Sequence, residues 1–289
     1  MHDRHHIPLG TALALATALV ASTAAAGVKY LGEELSPWLI LWVQYGLCTL
    51  LALPWVLRRG PSSLRTSRPA LMVVRSLSGW LGFACLYLAL PLIPLVDASL
   101  LRSAAPLWVP LVVFLWLGQQ VPRIRWLSLL GGFAGVVLIL QPGNLNVSPG
   151  HLLGLTAGLG LAVSMATTRS LSLTEPAGRV LFYYFAISFL ASTPMGLAYL
   201  APVTFSQIPV LAYIGVSIFI TMVLYTRAYT HAPTSVIAPL GYVAVPLSAM
   251  LDWLLWGHLP DRLAIAGAVL VIASGIAAVT LGTEQSREH

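Results

Sequence analysis

Apolar residues occupy this chain in long runs separated by short polar gaps. Each run is about 20 residues long, the length that an α-helix needs to cross roughly 30 Å of hydrocarbon. The gaps, such as 60–63 and 142–144, hold Gly, Pro, Ser and Asn, which end helices. The pattern predicts an all-α integral membrane protein with ten transmembrane helices, near residues 9–32, 37–57, 70–90, 95–117, 126–141, 151–172, 180–200, 209–229, 233–256 and 263–282.

The two halves of the sequence resemble each other at an offset of about 140 residues. Repeats with so few gaps do not arise easily from composition alone. Because each half holds five helices, an odd number, the second copy must enter the membrane from the opposite side. We therefore expect two inverted five-helix repeats, residues 1–145 and 146–289, an arrangement that serves alternating access. The identities include Gly10/Gly150, Leu41/Leu181, Pro54/Pro194, Pro94/Pro233 and Gly118/Gly257.

Composition and charge agree with a membrane location. With 58% hydrophobic and 8% charged residues, the chain lacks the polar surface of a water-soluble protein. The net charge of +6 comes from residues in the gaps rather than on one polar face, so we expect no nucleic-acid partner. The positive-inside rule then predicts a multi-pass protein of the inner (plasma) membrane with both termini cytoplasmic. The inner side would hold Arg4, Arg58, Arg59, Arg65, Arg68, Arg123, Arg125, Arg169, Arg179, Arg227 and Arg287, and the outer side Lys29 and Arg262.

The N-terminus allows a second interpretation. Residues 1–6 are polar, an apolar stretch follows, and Ala24 to Ala26 precede Gly27, as in a cleavable secretory signal. Cleavage would delete the repeat partner of the sixth helix, so a retained first helix is favoured. The histidines at positions 2, 5 and 6 are interpreted as a frayed tail rather than a metal site, and we expect no metal and no cofactor.

Hydroxyl and aromatic residues recur along single faces of four predicted helices, where lipid would make no use of them. One alternative is that such residues only pack helices together. The faces together favour a substrate-binding cavity. Its predicted residues are Ser76, Trp80, Phe83 and Tyr87 in the third helix, Ser99 and Arg102 in the fourth, Tyr213, Ser217, Thr221 and Tyr225 in the eighth, and Ser235 and Tyr242 in the ninth.

Arg102 is the strongest single position. It lies about two turns inside a helix, where facing lipid would cost about 2.5–3.5 kcal/mol, so it should face protein or a wet cavity. A ligand carboxylate is one candidate partner and a fixed structural pair is the other, although Asp97 lies five residues away and thus on another side of the helix. Arg75 is expected to snorkel to the interface. Lys29 and Asp252 are likewise expected to reach an interface.

Two segments resemble a known family. They are 118–126, Gly-Gln-Gln-Val-Pro-Arg-Ile-Arg-Trp, running into Gly135, and 257–262, Gly-His-Leu-Pro-Asp-Arg, running into Gly267. Together with the architecture they are similar to the paired EamA-type units of the drug/metabolite transporter superfamily. That family commonly has Glu after the first glycine of each segment, whereas this chain has Gln119 and His258. The resemblance implies a ten-helix inner-membrane transporter, often an exporter of amino acids or related metabolites, with a cavity formed by helices 3, 4, 8 and 9 plus 1 and 6.

Taken together, these patterns predict a secondary transporter that exports small metabolites by alternating access. Aromatic or hydrophobic amino acids are the expected substrates, because the predicted cavity is aromatic and holds one cation for a carboxylate. The alternatives are a multidrug or cationic-solute exporter and a membrane-embedded enzyme or binding subunit that acts on lipids. No enzyme constellation stands out, so we expect no catalytic activity. Besides its substrate, the lipid bilayer is the only partner expected, and the chain would be a monomer or homodimer.

Overall fold

The structure, a computed structural model, describes residues 7–105, 107–108, 112, 123–140, 148–172, 174–231 and 240–284. Regular structure in these ranges is helical and comprises ten α-helices with two short 3-10 turns at Pro61–Leu64 and Gly241–Val243. The helices are α1 (Ile7–Leu31), α2 (Pro37–Arg59), α3 (Pro69–Ala89), α4 (Leu95–Ser103), α5 (Arg123–Leu140), α6 (Pro149–Ser172), α7 (Ala177–Ala198), α8 (Ile208–His231), α9 (Ala244–Trp256) and α10 (Arg262–Glu284).

The number and order of these helices match the ten predicted from the apolar runs. Six of them, α1, α2, α3, α6, α7 and α8, are long and apolar enough to cross a membrane, and two shorter apolar helices span 241–256 and 262–274. The predicted fourth helix continues to residue 117 and the predicted ninth begins at 233, but these extensions fall mostly outside the described residues.

Local sequence explains where the second helix begins, bends and ends. Its first turn begins at Pro37, after Ser36, whose side chain accepts a hydrogen bond from the Trp38 N–H. Gly60 ends the helix at a φ of 77°, a conformation that favours glycine. Pro54 lies inside α2 and Pro194 inside α7, at matching places in the two halves of the sequence. An interior proline removes a helical hydrogen bond, so these are the positions at which each helix is expected to bend.

Helices of the two halves interleave. The most extensive contacts join α3 to α6, α1 to α8, α2 to α7 and α5 to α10, followed by α3 to α7, α2 to α8, α4 to α6, α4 to α9 and α1 to α9. If α1–α5 are exchanged in order for α6–α10, every contact in this set becomes either itself or another member of the set. The core therefore lies between the halves rather than within each one.

Glycines allow the closest of these contacts. A Cβ atom at Gly160 would lie 2.8 Å from the Ser78 carbonyl oxygen, so α6 and α3 meet backbone to backbone. A Cβ atom at Gly135 would lie 2.8 Å from the Gly267 carbonyl oxygen at the crossing of α5 and α10. Such contacts between small residues are a common way of packing helices in membranes.

The bundle has two ends, which we name by buried charges. The Lys29 end contains the end of α1, the start of α2, the end of α3 and the start of α4. The Glu175 end contains the opposite ends of these helices and the connection from α6 to α7, in which Glu175 lies. Between the two ends lies the main hydrophobic core, which includes Tyr45, Tyr87 and Tyr184 among its largest fully buried side chains.

Candidate functional site

Five aromatic side chains from α2, α3 and α7 meet in the middle of the bundle and form what we call the central aromatic cluster: Tyr45, Phe83, Tyr87, Tyr184 and Phe185. The Tyr45 and Tyr184 hydroxyls lie 2.8 Å apart and share a hydrogen bond. The Phe83 ring meets the rings of Tyr45 and Tyr87 edge to face, with centroids 6.4 and 6.0 Å away. Edge-to-face pairs of this kind hold rings in defined orientations, so the cluster provides a fixed aromatic wall.

Arg102 contacts this wall from α4. Its guanidinium carbon lies 4.9 Å from the centroid of the Phe83 ring, a cation–π distance. Within the described part of the chain, Arg102 forms no ion pair, and Asp97 is not its partner. The side chain thus faces protein, as its depth in the helix predicts, but no described carboxylate neutralises it.

Arg75 contacts the same cluster from α3, which corrects the expectation that it snorkels. The residue is only 7% exposed, and its guanidinium carbon lies 4.0 Å above the ring of Tyr184. Its Nε and Nη1 atoms are buried without a hydrogen-bond partner. Snorkelling would bring the charged head to water; the packing of α3 against α6 and α7 instead covers it.

Three other predicted residues use their polar atoms in contacts between or within helices. The Ser76 hydroxyl donates to the Met72 carbonyl of its own helix at 2.7 Å. The Trp80 Nε1 donates to the Ser192 hydroxyl on α7 at 2.8 Å, and Ser99 donates to the Ser248 hydroxyl on α9 at the same distance. The hydroxyl and indole groups of these three residues therefore already have partners.

The predicted face of α8 divides into two parts. Ser217 and Thr221 are buried, and Tyr225 is partly buried. Tyr213 is 45% exposed, and its hydroxyl donates to Thr23 on α1 at 2.6 Å, so the structure does not bring it to the buried part of the site. The spacing explains the difference, because positions four residues apart drift by about 40° per step around a helix.

The last two predicted residues precede α9. Tyr242 lies in the 3-10 turn before this helix and is 5% exposed. Ser235 lies outside the described residues, as do Gln119, most of segment 118–126 and the N-terminal histidines.

Buried polar atoms without a partner mark the interior. In native proteins most buried polar groups are hydrogen-bonded, and the exceptions call for an explanation such as a ligand or water. Here the exceptions come from helices of both halves, namely α2, α3, α7 and α8, and from the turn before α9. Among the described residues they are Gln44 Nε2, Arg75 Nε and Nη1, Ser188 Oγ, Thr221 Oγ1 and the Tyr242 hydroxyl.

A buried ion pair ties the helices together at the Lys29 end. Lys29 Nζ lies 3.2 Å from Asp252 Oδ1 and donates to the Ile93 carbonyl at 3.3 Å. Asp252 is fully buried, and its other oxygen accepts the Val96 N–H at 3.2 Å. His258 adds a contact of 3.3 Å from Nδ1 to Oδ1. The expectation that Lys29 and Asp252 reach an interface is therefore corrected: the pair bridges α1, α4 and α9 inside the protein.

A second set of contacts closes the Glu175 end. The Glu175 carboxylate accepts hydrogen bonds from the Thr66 hydroxyl, the Ser67 N–H and the Arg179 guanidinium. Burial raises the pKa of Glu175, but the hydrogen bonds from Thr66 and Arg179 and the Arg179 charge outweigh this effect and hold the pKa below the ordinary glutamate value. The α2–α3 connection is thus fixed to the start of α7.

Sequence reasoning missed Tyr45, Tyr184 and Arg75. A signal for the tyrosines exists, because the repeat offset of 140 in this segment pairs Tyr45 with Phe185, the neighbour of Tyr184. Aromatic residues at equivalent positions come close where the two equivalent helices meet, as α2 and α7 do here.

Comparisons with known proteins agree with this architecture. Residues 8–141 match the EamA-like transporter family. The pseudopaline exporter of Pseudomonas aeruginosa is 30% identical to this chain over 93% of it and 95% of the exporter. The S-adenosylmethionine uptake transporter of Rickettsia bellii is 25% identical over 84% of both chains. The riboflavin transporter of Rhizobium johnstonii is 26% identical over 81% of this chain and 78% of its own. A solved crystal structure, 22% identical, shares the fold with a TM-score of 0.65 over 94% of this chain and 97% of its own.

Proposed function

Because the chain belongs to the EamA-like transporter family of the drug/metabolite transporter superfamily, we propose that it exports small carboxylate-bearing metabolites, among them aromatic and hydrophobic amino acids, by alternating access. Membership of the family makes the protein a multi-pass membrane transporter and not an enzyme. The substrate, the direction of transport and the site are the proposal.

The observation that carries the proposal is Arg102 beside the central aromatic cluster without an ion pair in the described part of the chain. Arg102 is partly buried, and a cation inside a protein is costly unless it is paired, so a ligand with a carboxylate is its natural partner. The ring of Phe83 next to it suits an apolar or aromatic side chain of the same ligand. A cationic drug fits less well, because Arg102 and Arg75 both repel it.

Two features support alternating access. The main interhelical contacts map onto one another when the two halves are exchanged, which is the packing expected of an inverted repeat. The Lys29–Asp252 pair holds α1, α4 and α9 together at one end, and breaking it would free these helices to separate there. Since most arginines of the connecting segments fall at the Glu175 end, the positive-inside rule assigns that end to the cytoplasm and the Lys29 end to the outside.

Export is proposed because the pseudopaline exporter is among the relatives that the chain resembles over nearly its whole length. Other relatives are named for uptake or simply as transporters, so the fold itself serves either direction. Direction then depends on the ion or solute gradient to which transport is coupled.

The test is a panel of solutes presented to the purified protein in liposomes. We expect counterflow of radiolabelled phenylalanine and leucine, and none of glucose or tetraphenylphosphonium. Liposomes without protein serve as the control for leak through the bilayer. Counterflow of the cation without the amino acids would replace the proposal with a multidrug exporter.

A further inference from the structure

The geometry points to Arg75 as a second anion-binding residue, so that the transporter favours solutes with two separated anionic groups, such as amino dicarboxylates, over solutes with one. This inference rests on the proposed function, because it takes Arg102 as the first anion-binding residue. It adds a residue and a substrate class.

The unsatisfied donors of Arg75 carry the inference. A guanidinium presents five N–H donors in a planar fork that matches a carboxylate. In this structure the Arg75 side chain is 7% exposed, its guanidinium carbon lies 4.0 Å from the centroid of the Tyr184 ring, and both Nε and Nη1 lack a partner. A guanidinium with a purely structural role would use these two nitrogens, whereas here both keep an N–H for an acceptor that the described residues do not supply.

Gly79 lies where Arg75 Nη1 packs closely against α6 and α7. A Cβ atom at Gly79 would lie 2.9 Å from the Tyr184 ring, 3.0 Å from the hydroxyl of Ser164 on α6 and 3.1 Å from Arg75 Nη1. Glycine at this position therefore allows these three side chains to approach α3 together. The Ser164 hydroxyl and the guanidinium are both donors to which a carboxylate can bind.

Arg75 and Arg102 approach the central aromatic cluster from opposite ends of the bundle. Arg75 lies six residues after the start of α3 at the Glu175 end, and Arg102 seven residues after the start of α4 at the Lys29 end. At 1.5 Å of rise per residue, each is roughly 10 Å from its own end. Arg75 lies over the ring of Tyr184 and Arg102 over the ring of Phe83, so both cations contact the same aromatic cluster.

The spacing along α3 indicates that the two guanidinium groups lie too far apart for one carboxylate. Phe83, the ring under Arg102, follows Arg75 on α3 by eight residues, which corresponds to about 12 Å along the helix. A solute with a single carboxylate leaves one buried cation unpaired. A solute with two carboxylates separated by several bonds pairs with both, and this difference predicts the preference.

The test compares 2-aminopimelate with the same compound in which the distal carboxylate is an amide. Binding to the purified wild-type protein is measured by isothermal titration calorimetry, since the amide keeps size and shape and removes one charge. We expect the dicarboxylate to bind at least about 10-fold more tightly. Glutamate and glutamine form a shorter pair that measures how far apart the two charges must be.

Variants show which arginine binds each of the two carboxylates of the ligand. Arg75→Gln should abolish the preference for the dicarboxylate and leave binding of the monoamide unchanged, while Arg75→Lys should retain part of the preference. Arg102→Gln should weaken both ligands. Arg179→Gln, which removes an arginine at the Glu175 end that already has a carboxylate partner, should change neither.

The outcomes separate this inference from the proposed function. Equal binding of both ligands by the wild type overturns the inference and leaves the proposed function standing, even if no Arg75 variant folds. An Arg75→Gln protein that keeps the preference overturns it as well. If the wild type binds neither these ligands nor any other amino acid of the panel, the proposed function itself is wrong and the inference falls with it.

Discussion

Breaking the Lys29–Asp252 ion pair should open the Lys29 end of the bundle. The pair is buried on both sides, with Lys29 7% exposed and Asp252 fully buried. Replacing Lys29 with Met leaves the Asp252 carboxylate with the Val96 N–H and a contact to His258, but without its cation. Admitting water relieves an unpaired buried carboxylate, and this requires α1, α4 and α9 to separate.

The size of the effect follows from this burial. Removing one partner of a buried ion pair costs about 3–5 kcal/mol, against about 0–1 kcal/mol for an exposed pair. A shift of about 3 kcal/mol changes an equilibrium between closed and open forms by roughly 100-fold. Removing both charges in Lys29→Met with Asp252→Asn should return most of that energy, because no bare charge is then left inside.

Cysteine accessibility measures the opening. Ser248 on α9 is 1% exposed and bonded to Ser99 on α4, so Ser248→Cys, in a chain without the native cysteines, reports separation of these two helices. We expect a polar maleimide to label this cysteine up to about 100-fold faster in detergent when Lys29→Met is present. Arg179→Gln, which breaks an ion pair at the other end, is the control and should leave the rate unchanged. Unchanged labelling in Lys29→Met, together with an unchanged midpoint of thermal unfolding, would refute the reasoning.

Three further predictions test other parts of the structure. Gly160→Ala should lower the free energy of unfolding by about 1–3 kcal/mol in a denaturation experiment, because its Cβ would meet a backbone oxygen, whereas Gly241→Ala, with open space around it, should not. The carboxylate of Glu175 has a depressed pKa, so it stabilises the folded state above the ordinary glutamate pKa and this stability is lost on acidification; Glu175→Gln should flatten the fall in thermal midpoint between about pH 5 and 3. Cysteines at Ser63 and Asp261 should label from opposite sides of intact cells, the latter from outside, and labelling of both from one side would contradict the assigned topology.

The helices of the fold could be predicted from the sequence because hydrophobic runs of helical length indicate them directly. The third helix, for example, was expected near 70–90 and spans Pro69–Ala89. Helix ends that Pro and Gly determine are local features, so they can be predicted from the sequence in the same way. The contacts between helices follow from which faces meet, and that information is spread over residues far apart in the chain.

The candidate site was only partly predictable for the same reason. Phe83, Tyr87 and Arg102 are brought together as their positions on the third and fourth helices suggested. Tyr213 was placed on the same face as Ser217 by its spacing, but the rotation of α8 in the bundle leaves it exposed. Rotation of a helix about its own axis is set by its neighbours, which periodicity does not specify.

The buried charges show the same limit of prediction from the sequence even more clearly. Lys29 and Asp252 lie 223 residues apart, so neither predicts the other along the sequence. An isolated charge near the end of an apolar run is usually explained by snorkelling. Only the crossing of α1 and α9 converts these two charges into an internal ion pair.

The central claim is that Arg102 holds the carboxylate of the transported solute, and one measurement tests it most directly: counterflow of phenylalanine and of its amide in liposomes with wild-type protein, Arg102→Gln and Arg102→Lys. A charged hydrogen bond of about 1.5–3 kcal/mol corresponds to about 10- to 100-fold in affinity. We expect wild-type protein to prefer phenylalanine by this factor, Arg102→Gln to lose the preference while it inserts and purifies normally, and Arg102→Lys to retain part of it. If Arg102→Gln transports phenylalanine as well as the wild type does, or loses the acid and the amide equally, Arg102 does not bind the substrate and the account is contradicted.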